Sequence, residues 1–361
     1  MAAAADGDDG TVARHLIEPS LELAQRDVLR ARDVPRDPLL VLADVEQMAL
    51  VADGFELVRL HASTVPTVQP PYPIEIVPLI PQFLLRRTAR FDFPLRASER
   101  LGIDRPAFQF VFTLSVVPEA GATPQQIGNA AYYTILDFWR PQAVVAESAG
   151  LATEERGCWR LTERGEALMR EMRAERRAYF QCLEPIAAAD VERLADLFER
   201  AFRASVTTLP QDENSHIPRV ARYRRGEPLD SPMAKLDAAI NALWATRDDA
   251  HMAAWRAAGI DGPALDALTR IWREEAPTLA ELAPKLAQQR PDDVDAAIGR
   301  LRTKGWVEPG EPLRATESGR SARQAIEEET DRLFFSPWPE DVGRQASWMR
   351  ERLEAINQAL A

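Results

Sequence analysis

The chain contains two copies of one sequence pattern. Three pairs of matching segments carry it: Gly102–Ala107 and Gly259–Ala264, Gly150–Leu151 and Gly305–Trp306, and Arg160–Gly165 and Arg314–Gly319. The offsets between paired segments are 157 residues (259 minus 102), 155 (305 minus 150) and 154 (314 minus 160). Because the offset stays nearly constant over three landmarks, the pattern indicates a duplicated structural module.

The order of predicted elements within a copy indicates the type of fold. In the first copy a Gly-ended helix closes at Gly150, and Leu151–Leu161 is typical of a hairpin that turns at Glu155–Gly157. Thr162 then caps a long charged helix. In the second copy the hairpin is shortened to Trp306–Leu313. This order is that of the winged helix-turn-helix, in which the hairpin is the wing.

The motifs of the first copy resemble those of MarR-like winged helix-turn-helix regulators. The resemblance lies in Gly150-Leu151, in the wing Glu155–Arg160 and in Leu161–Gly165. Proteins of that family dimerise through terminal helices and bind DNA as two symmetric modules. The resemblance implies that residues 100–205 and 255–361 form an intramolecular pseudodimer. The predicted fold class is therefore mainly α with small β-wings, built from tandem winged helix-turn-helix modules.

The second half also resembles an actinobacterial helix-turn-helix family without a known activity. The residues that carry this resemblance are Asp248–His251, Gly259–Gly262, Thr330–Leu333 and Pro337-Trp338. It supports the fold and implies no function.

Composition along the chain predicts five regions. They are a disordered tail over 1–10, a helical cap region with a proline-rich segment over 11–98, the first module with its C-terminal helices over 99–205, a linker over 206–230, and a long helix with the second module over 231–361. Finer predictions are helices over 12–31, 39–52, 278–289 and 291–304, a strand over 55–65, and an extended or turning segment over 69–81.

The overall composition favours a soluble protein but does not support DNA binding. The 44 basic and 56 acidic residues give a net charge of −12, although one positive face suffices for nucleic acid. Cys158 and Cys182 lack the spacing of a disulfide framework or a metal site. The start of the chain shows no signal-peptide pattern, and the longest apolar run, Leu39–Val51, contains Asp44 and Glu46. We therefore predict a cytoplasmic protein with no membrane partner.

No motif points to catalysis. The four histidines, His15, His61, His216 and His251, fall in different segments without ligand spacing. The chain has no Gly-rich phosphate loop, nucleophile elbow or Cys-x-x-Cys pair. We predict no catalytic residue, metal or cofactor, and a protein that is not an enzyme. An enzyme with an unrecognised site is the weakest alternative.

In the first module, polar and basic residues occupy the places where a winged helix contacts DNA, at the recognition helix and the wing. The candidate DNA-binding residues are Thr123, Gln125, Gln126, Arg140, Gln142, Arg156 and Arg160. Strand alternation predicts that Trp159 and Arg160 face opposite sides. Between Arg100 and Gly165, however, six basic residues stand against seven acidic ones. Solvated charges on a domain that does not bind DNA are an equal alternative.

The second module has the wrong charge for reading DNA. Its recognition helix begins with Asp292, Asp293 and Asp295, where phosphates and base edges would lie, and these carboxylates stabilise a helix N-terminus instead. Its basic residues, including Arg302 and Lys304, fall at the far end of the helix. The sequence predicts a degenerate module.

Two further patterns leave alternatives open. The basic cluster Arg219, Arg222, Arg224 and Arg225 could follow phosphates, be solvated, or pair with acidic helices of the same chain. The helical stripe Trp244, His251 and Trp255 could line a pocket for a small apolar ligand, or be core or helix interface.

The leading hypothesis is a DNA-binding transcriptional regulator of MarR-like type, with one competent and one degenerate module and double-stranded DNA as its partner. The alternative is a winged-helix protein that has lost DNA binding and binds a small molecule or a protein. The charge of the surface over the recognition helices and wings distinguishes the two.

Overall fold

A computed structural model describes residues 72–117, 121–128, 139–209, 211–212, 215–225, 229–286 and 288–361, without the side chains of residues 222, 223 and 225. All these residues belong to one of the two compact units of the chain, Leu42–Ala361. The predicted tail, the helices over 12–31 and 39–52 and the strand over 55–65 lie outside the described residues.

Helices dominate the described part of the chain. In the first half they are α1 Leu79–Arg86, α2 Phe93–Leu101, α3 Arg105–Leu114, α4 Pro124–Gly128, α5 Arg140–Ser148, α6 Glu163–Gln181, α7 Ala188–Ser205 and α8 His216–Arg225. In the second half they are α9 Pro232–Ala257, α10 Gly262–Trp272, α11 Leu279–Leu282, α12 Pro291–Thr303, α13 Glu317–Phe335, α14 Glu340–Gly343 and α15 Ala346–Ala359. The prediction of a mainly helical fold with a small sheet is confirmed.

The hairpin of the first half forms as the sequence predicts. Strands β1 Ala152–Glu155 and β2 Cys158–Leu161 pair antiparallel. The two residues between them have φ angles of 54° at Arg156 and 78° at Gly157, as a tight two-residue hairpin turn requires. Trp159 is buried and Arg160 is exposed, which confirms the predicted alternation. In the second half the corresponding hairpin is reduced to one bridge, between Val307 and Ala315.

Three segment predictions need correction: the extended segment over 69–81, the helix over 278–289 and the linker over 206–230. Residues 74–76 form a 3-10 turn and α1 begins at Leu79, so the proline-rich segment is partly helical. Pro81 is tolerated because it lies in the first turn, where a backbone N–H has no partner within the helix. The helix predicted over 278–289 is only α11 followed by a 3-10 turn at Ala283–Leu286. Pro284 lies at that change of helix type and cannot donate a backbone hydrogen bond.

The predicted linker over 206–230 contains helix α8. Pro218 does not prevent it, because this proline is the third residue of the helix. Asp249 of α9 accepts hydrogen bonds from the backbone N–H groups of His216 at 2.7 Å and Ile217 at 3.2 Å. A carboxylate from a distant part of the chain therefore satisfies the start of α8, and no local pattern reveals this.

Helix α9 organises the described unit. It begins after Ser231, whose hydroxyl accepts a hydrogen bond from the Ala234 N–H at 3.2 Å and so caps the helix. It packs most extensively on α7, and also on α13 and α8. Its apolar residues Leu236, Ile240 and Leu243 are fully buried. At another contact within the unit, α1 packs against α15.

The same hydrogen bonds connect helix and wing in both halves. Thr162 Oγ1 donates to Gly150 O at 2.6 Å and accepts from the amide three residues later at 3.1 Å. Thr316 Oγ1 donates to Gly305 O at 2.6 Å and accepts from the equivalent amide at 3.0 Å. Both glycines have positive φ, 69° and 71°. One local backbone arrangement thus leads from α5 to α6 and from α12 to α13.

The residue three positions after each threonine has no room for a side chain. A Cβ atom at Gly165 would overlap the carbonyl of Leu151, and one at Gly319 would overlap the carbonyl of Trp306. The long helix after each wing therefore touches the backbone at the beginning of that wing.

Candidate nucleic-acid interface

The start of α4 uses two of the predicted DNA-binding residues. Thr123 Oγ1 accepts from the Gln126 N–H at 3.4 Å, while Gln126 Oε1 accepts from the Thr123 N–H at 2.9 Å, which is a capping box. Gln125 is exposed beside them. A bridge between Ala122 and Trp159 links this helix start to the wing. The structure therefore brings α4 and the wing together.

Helix α5 begins at the predicted contact residue Arg140. Its guanidinium lies 5.7 Å from the ring centre of Trp159 and 3.9 Å from a carboxylate oxygen of Glu154. The Arg140 side chain is nevertheless 53% exposed. Gln142 is half-buried, and Val144 is 55% exposed on the same helix. The outer surface of α5 thus includes the cation of Arg140 and the apolar side chain of Val144.

The wing carries two arginines in different situations. Arg160 pairs with Glu155 across the hairpin. Arg156 lies in the turn and is exposed. Within the part of the chain that the structure describes, Arg156 makes no ion pair. Arg156 is therefore the cation of this wing that is open to an external anion.

The two basic residues at the end of α12, Arg302 and Lys304, make contacts within the chain. Arg302 donates to Gly310 O at 2.8 Å and to Glu308 O at 3.3 Å, so it holds the shortened wing. Lys304 Nζ donates to Ala258 O at 3.2 Å. These contacts give both cations a local structural role.

Carboxylates dominate the outer surface of α12. Asp292 and Asp295 are exposed, and Asp293 pairs with Arg290 at 2.6 Å. Arg300, on the same helix, pairs with Asp261 at 2.7 Å. Where phosphates would approach a recognition helix, this one presents negative charge.

A groove of about 430 Å³ separates α12 from the shortened wing. Leu279, Ile298 and Leu313 supply apolar lining, and Asp295 and Glu311 supply carboxylates. Glu311 also accepts a hydrogen bond from the Leu279 N–H at 3.2 Å. The groove lies where a DNA-reading module would present its recognition helix and wing.

The three residues of the predicted ligand stripe are in the interior. Trp244, His251 and Trp255 are 3%, 7% and 3% exposed. His251 Nδ1 lies 2.9 Å from Thr330 Oγ1, which itself donates to Ile326 O at 2.7 Å. The Thr330 oxygen therefore accepts a hydrogen bond from the Nδ1–H of His251, which carries its hydrogen on Nδ1 when neutral.

Sequence reasoning missed a buried charge cluster around His251. Arg247 lies 3.5 Å from Glu327 and 3.0 Å from Asp331, and Arg323 pairs with Glu327. Arg247 and Arg323 are almost fully buried. The cluster connects α9 to α13. Its signal in the sequence is the spacing of Arg247 and His251 on α9 and of Glu327 and Asp331 on α13, because residues four apart lie on one face of a helix.

Burial and nearby charges shift the pKa values of the acids and of the histidine in this cluster in different directions. Burial lowers the pKa of His251 to about 4. Burial raises the pKa of Asp331 to about 6, against the opposing effect of Arg247. Burial also disfavours the charged form of Glu327, but Arg323, with His251 and Arg247, outweighs it and brings the pKa of Glu327 to about 2.

A second buried cluster lies where α1, α6 and α9 meet. Asp237 of α9 pairs with Arg87 and lies 3.2 Å from Arg176, and Asn241 Nδ2 donates to it at 2.9 Å. Arg176 also lies 5.5 Å from the ring centre of Phe180. Removing one partner of such a pair leaves an unpaired buried charge, so we assign this cluster a structural role.

The described residues offer neither a metal site nor a membrane-spanning helix. No group of His, Cys, Asp and Glu side chains there could hold a metal ion. No helix among these residues is long and apolar enough to cross a membrane.

Comparison with known proteins gives one match. A model of a helix-turn-helix family matches residues 151–361, which is more than half of the chain. No curated protein and no solved structure matches.

Proposed function

Because the chain belongs to a helix-turn-helix family, we propose that it is a DNA-binding transcriptional regulator of MarR-like type. In this proposal the first winged-helix module is competent and the second is degenerate. The observation that carries the proposal is the exposed cation at each DNA-contacting place of the first module, Arg140 at the start of α5 and Arg156 at the wing tip. Phosphate contacts at these two places fix a winged helix on its duplex.

The proposed degeneracy of the second module rests on how its charges are used. Arg302 and Lys304 donate to carbonyl groups of their own chain, so they hold the module together. The exposed Asp292 and Asp295 would repel phosphates. A module of this kind stabilises the molecule without reading a groove.

We also propose that the two modules are copies that pair within the chain. Helix α9, before the second copy, packs on α7 at the end of the first. Helix α1, before the first copy, packs on α15 at the end of the second. Such a reciprocal exchange is characteristic of twofold interfaces. The matched hydrogen bonds of Thr162 and Thr316 support the same proposal.

The test is binding of the full chain to a fluorescently labelled duplex of random sequence, at about 25 mM and about 150 mM KCl, because the sequence-independent phosphate term appears first at low salt. We expect measurable binding at the lower concentration and a steep loss at the higher. A chain that does not bind at low salt would contradict the proposal. That result would favour a winged-helix protein that has lost DNA binding. The acidic surface of α12 supports the same alternative.

A further inference from the structure

Helix α5 has a distinct outer face. Its exposed residues are Arg140, Pro141, Val144 and Ser148. On the opposite side Ala143 and Ala146 are buried, and the helix packs against α3. Because a helix turns by about 100° per residue, the four exposed residues fall within an arc of about 100°, and Val144 lies near its middle.

The middle of this face is apolar. Val144 is 55% exposed, which makes it the most exposed large apolar side chain among the described residues. Ser148 Oγ donates to the backbone oxygen of Val144 at 2.8 Å, so its proton is used within the helix. Pro141 has no polar side-chain atom. Beyond the cation of Arg140, the face therefore presents methyl groups to an approaching molecule.

Helix α12 of the second module contains a position equivalent to Val144. The offset of 155 residues between the glycines that follow the two helices (305 minus 150) pairs Val144 with Gly299. The hydroxyl four residues later makes the same hydrogen bond in both helices. Ser148 donates to Val144 O at 2.8 Å, and Thr303 Oγ1 donates to Gly299 O at 2.9 Å. These matched bonds support the alignment of the two outer faces.

The two outer faces differ in chemistry at the aligned positions. The same offset pairs Arg140 with Asp295. Where α5 has a cation and an exposed valine, α12 has a carboxylate and a residue without a side chain. In the major groove of DNA the apolar group on a base edge is the C5 methyl group of thymine. Of these two helices, only α5 has an apolar side chain at the middle of its face to contact that group.

We propose that Val144 is a specificity-determining residue, which contacts the C5 methyl group of a thymine in the major groove. This inference rests on the proposed function, in which α5 is the helix that enters the groove. Phosphate contacts by Arg140 and Arg156 position the module but carry no sequence information. The preference for thymine therefore depends on the apolar contact of Val144.

The test uses a duplex that the full wild-type chain enriches from a random-sequence pool. It is prepared once with thymine and once with uracil, which lacks the C5 methyl group. We expect the wild-type chain to bind the uracil duplex about fourfold more weakly, which is the effect of one buried methyl group. Val144→Ala should bind both duplexes equally, because its side chain is too short to reach the base. Its salt slope should stay that of the wild type, because no charge is removed.

Two further variants serve as controls. Val144→Ile keeps the methyl groups and should keep the preference for thymine. Gly299→Val places the same side chain at the equivalent position of the second module, where a Cβ atom meets nothing within 4 Å. This variant should keep the wild-type ratio of the two affinities. Comparing ratios between variants removes any effect of uracil on the shape of the duplex, since all variants meet the same two duplexes.

The outcomes separate this inference from the proposed function. A wild-type chain that binds DNA but binds the thymine and uracil duplexes equally overturns the inference and leaves the proposed function intact. Preference for thymine that persists in Val144→Ala overturns it as well, because another group then contacts the methyl. A wild-type chain that does not bind at low salt overturns both. Coincident thermal unfolding curves show that the variants fold.

Discussion

At the scale of single residues, the arginines of the wing and of the shortened wing contact different groups. Arg156 is exposed at a wing tip, whereas Arg302 donates to two carbonyl groups of the other wing. We expect Arg156→Ala to weaken DNA binding and to lower the salt slope by about 0.9. Arg302→Ala should leave the slope unchanged but lower the free energy of unfolding by about 1 kcal/mol. Fluorescence anisotropy and urea unfolding measure the two effects, and equal losses of slope would refute the asymmetry.

The buried cluster around His251 gives a second residue-scale prediction, about pH. The pKa of His251 is lowered to about 4, so its contribution to stability is lost as pH falls from 6.5 towards 4. The pKa of Asp331 is raised to about 6, so folding is favoured as pH falls through 6 towards 3.8. Between pH 6 and pH 4 the two effects oppose each other. Glu327, whose pKa is lowered to about 2, loses its contribution only below about pH 4.5.

Two variants separate these contributions. His251→Gln should lose less stability than the wild type as pH falls from 6.5 to 5, because the buried imidazole that resists protonation is gone. Asp331→Asn should lose more stability than the wild type over the same pH range, because the carboxyl that takes up a proton in the folded state is gone. The measurement is the free energy of unfolding in urea at pH 7, 6 and 5. If both variants shift the pH dependence in the same direction, the assignment of the two groups is wrong.

At the scale of the elements, each wing depends on a close contact between backbones. A Cβ atom at Gly165 or Gly319 would overlap the carbonyl of Leu151 or Trp306. We expect Gly165→Ala and Gly319→Ala each to lower the free energy of unfolding by about 2 kcal/mol, because the helix and the wing must separate. The matched control is Gly299→Ala in α12, where a Cβ atom meets nothing within 4 Å.

That control should change stability in the opposite direction. Alanine in place of a glycine inside a helix stabilises by about 1 kcal/mol when there is room for it. Urea unfolding of the three variants compares them directly. Destabilisation by Gly299→Ala, or none by Gly165→Ala, would contradict this account of the wings.

At the scale of the whole molecule, the contact between α1 and α15 joins segments far apart in the chain, so we expect the described unit to unfold cooperatively. Asn357 of α15 is buried, and its side-chain amide donates to Leu79 O at 3.0 Å, while its backbone carbonyl accepts from Arg86 at 2.8 Å. We expect Asn357→Ala to lower the free energy of unfolding by about 1–2 kcal/mol, because the Leu79 carbonyl oxygen loses its donor, while the backbone bond to Arg86 stays. Circular dichroism and tryptophan fluorescence should give one coincident transition in the wild type and the variant. Two separate transitions would show that the halves unfold independently.

The sequence determined the features that depend on neighbouring residues. Gly150 and Gly305 end helices at positive φ, and Thr162 and Thr316 cap the next helices through the amide three residues on. The hairpin turn at Arg156-Gly157 likewise depends on its own two residues, both of which have positive φ. These arrangements satisfy their hydrogen bonds within a few residues, so a local pattern is sufficient to predict them.

Tertiary structure alone decided which charged groups pair with one another and where the predicted linker is helical. Helix α8 forms where Asp249, more than 30 residues away, satisfies its first N–H groups. The buried pairing of Asp237 with Arg87 joins residues 150 positions apart. The sequence placed Arg302 at the far end of its helix, away from phosphates, but it did not reveal the two wing carbonyl groups to which Arg302 donates. Burial and pairing of a charge depend on what packs against it, and segments far apart in the chain provide those neighbours.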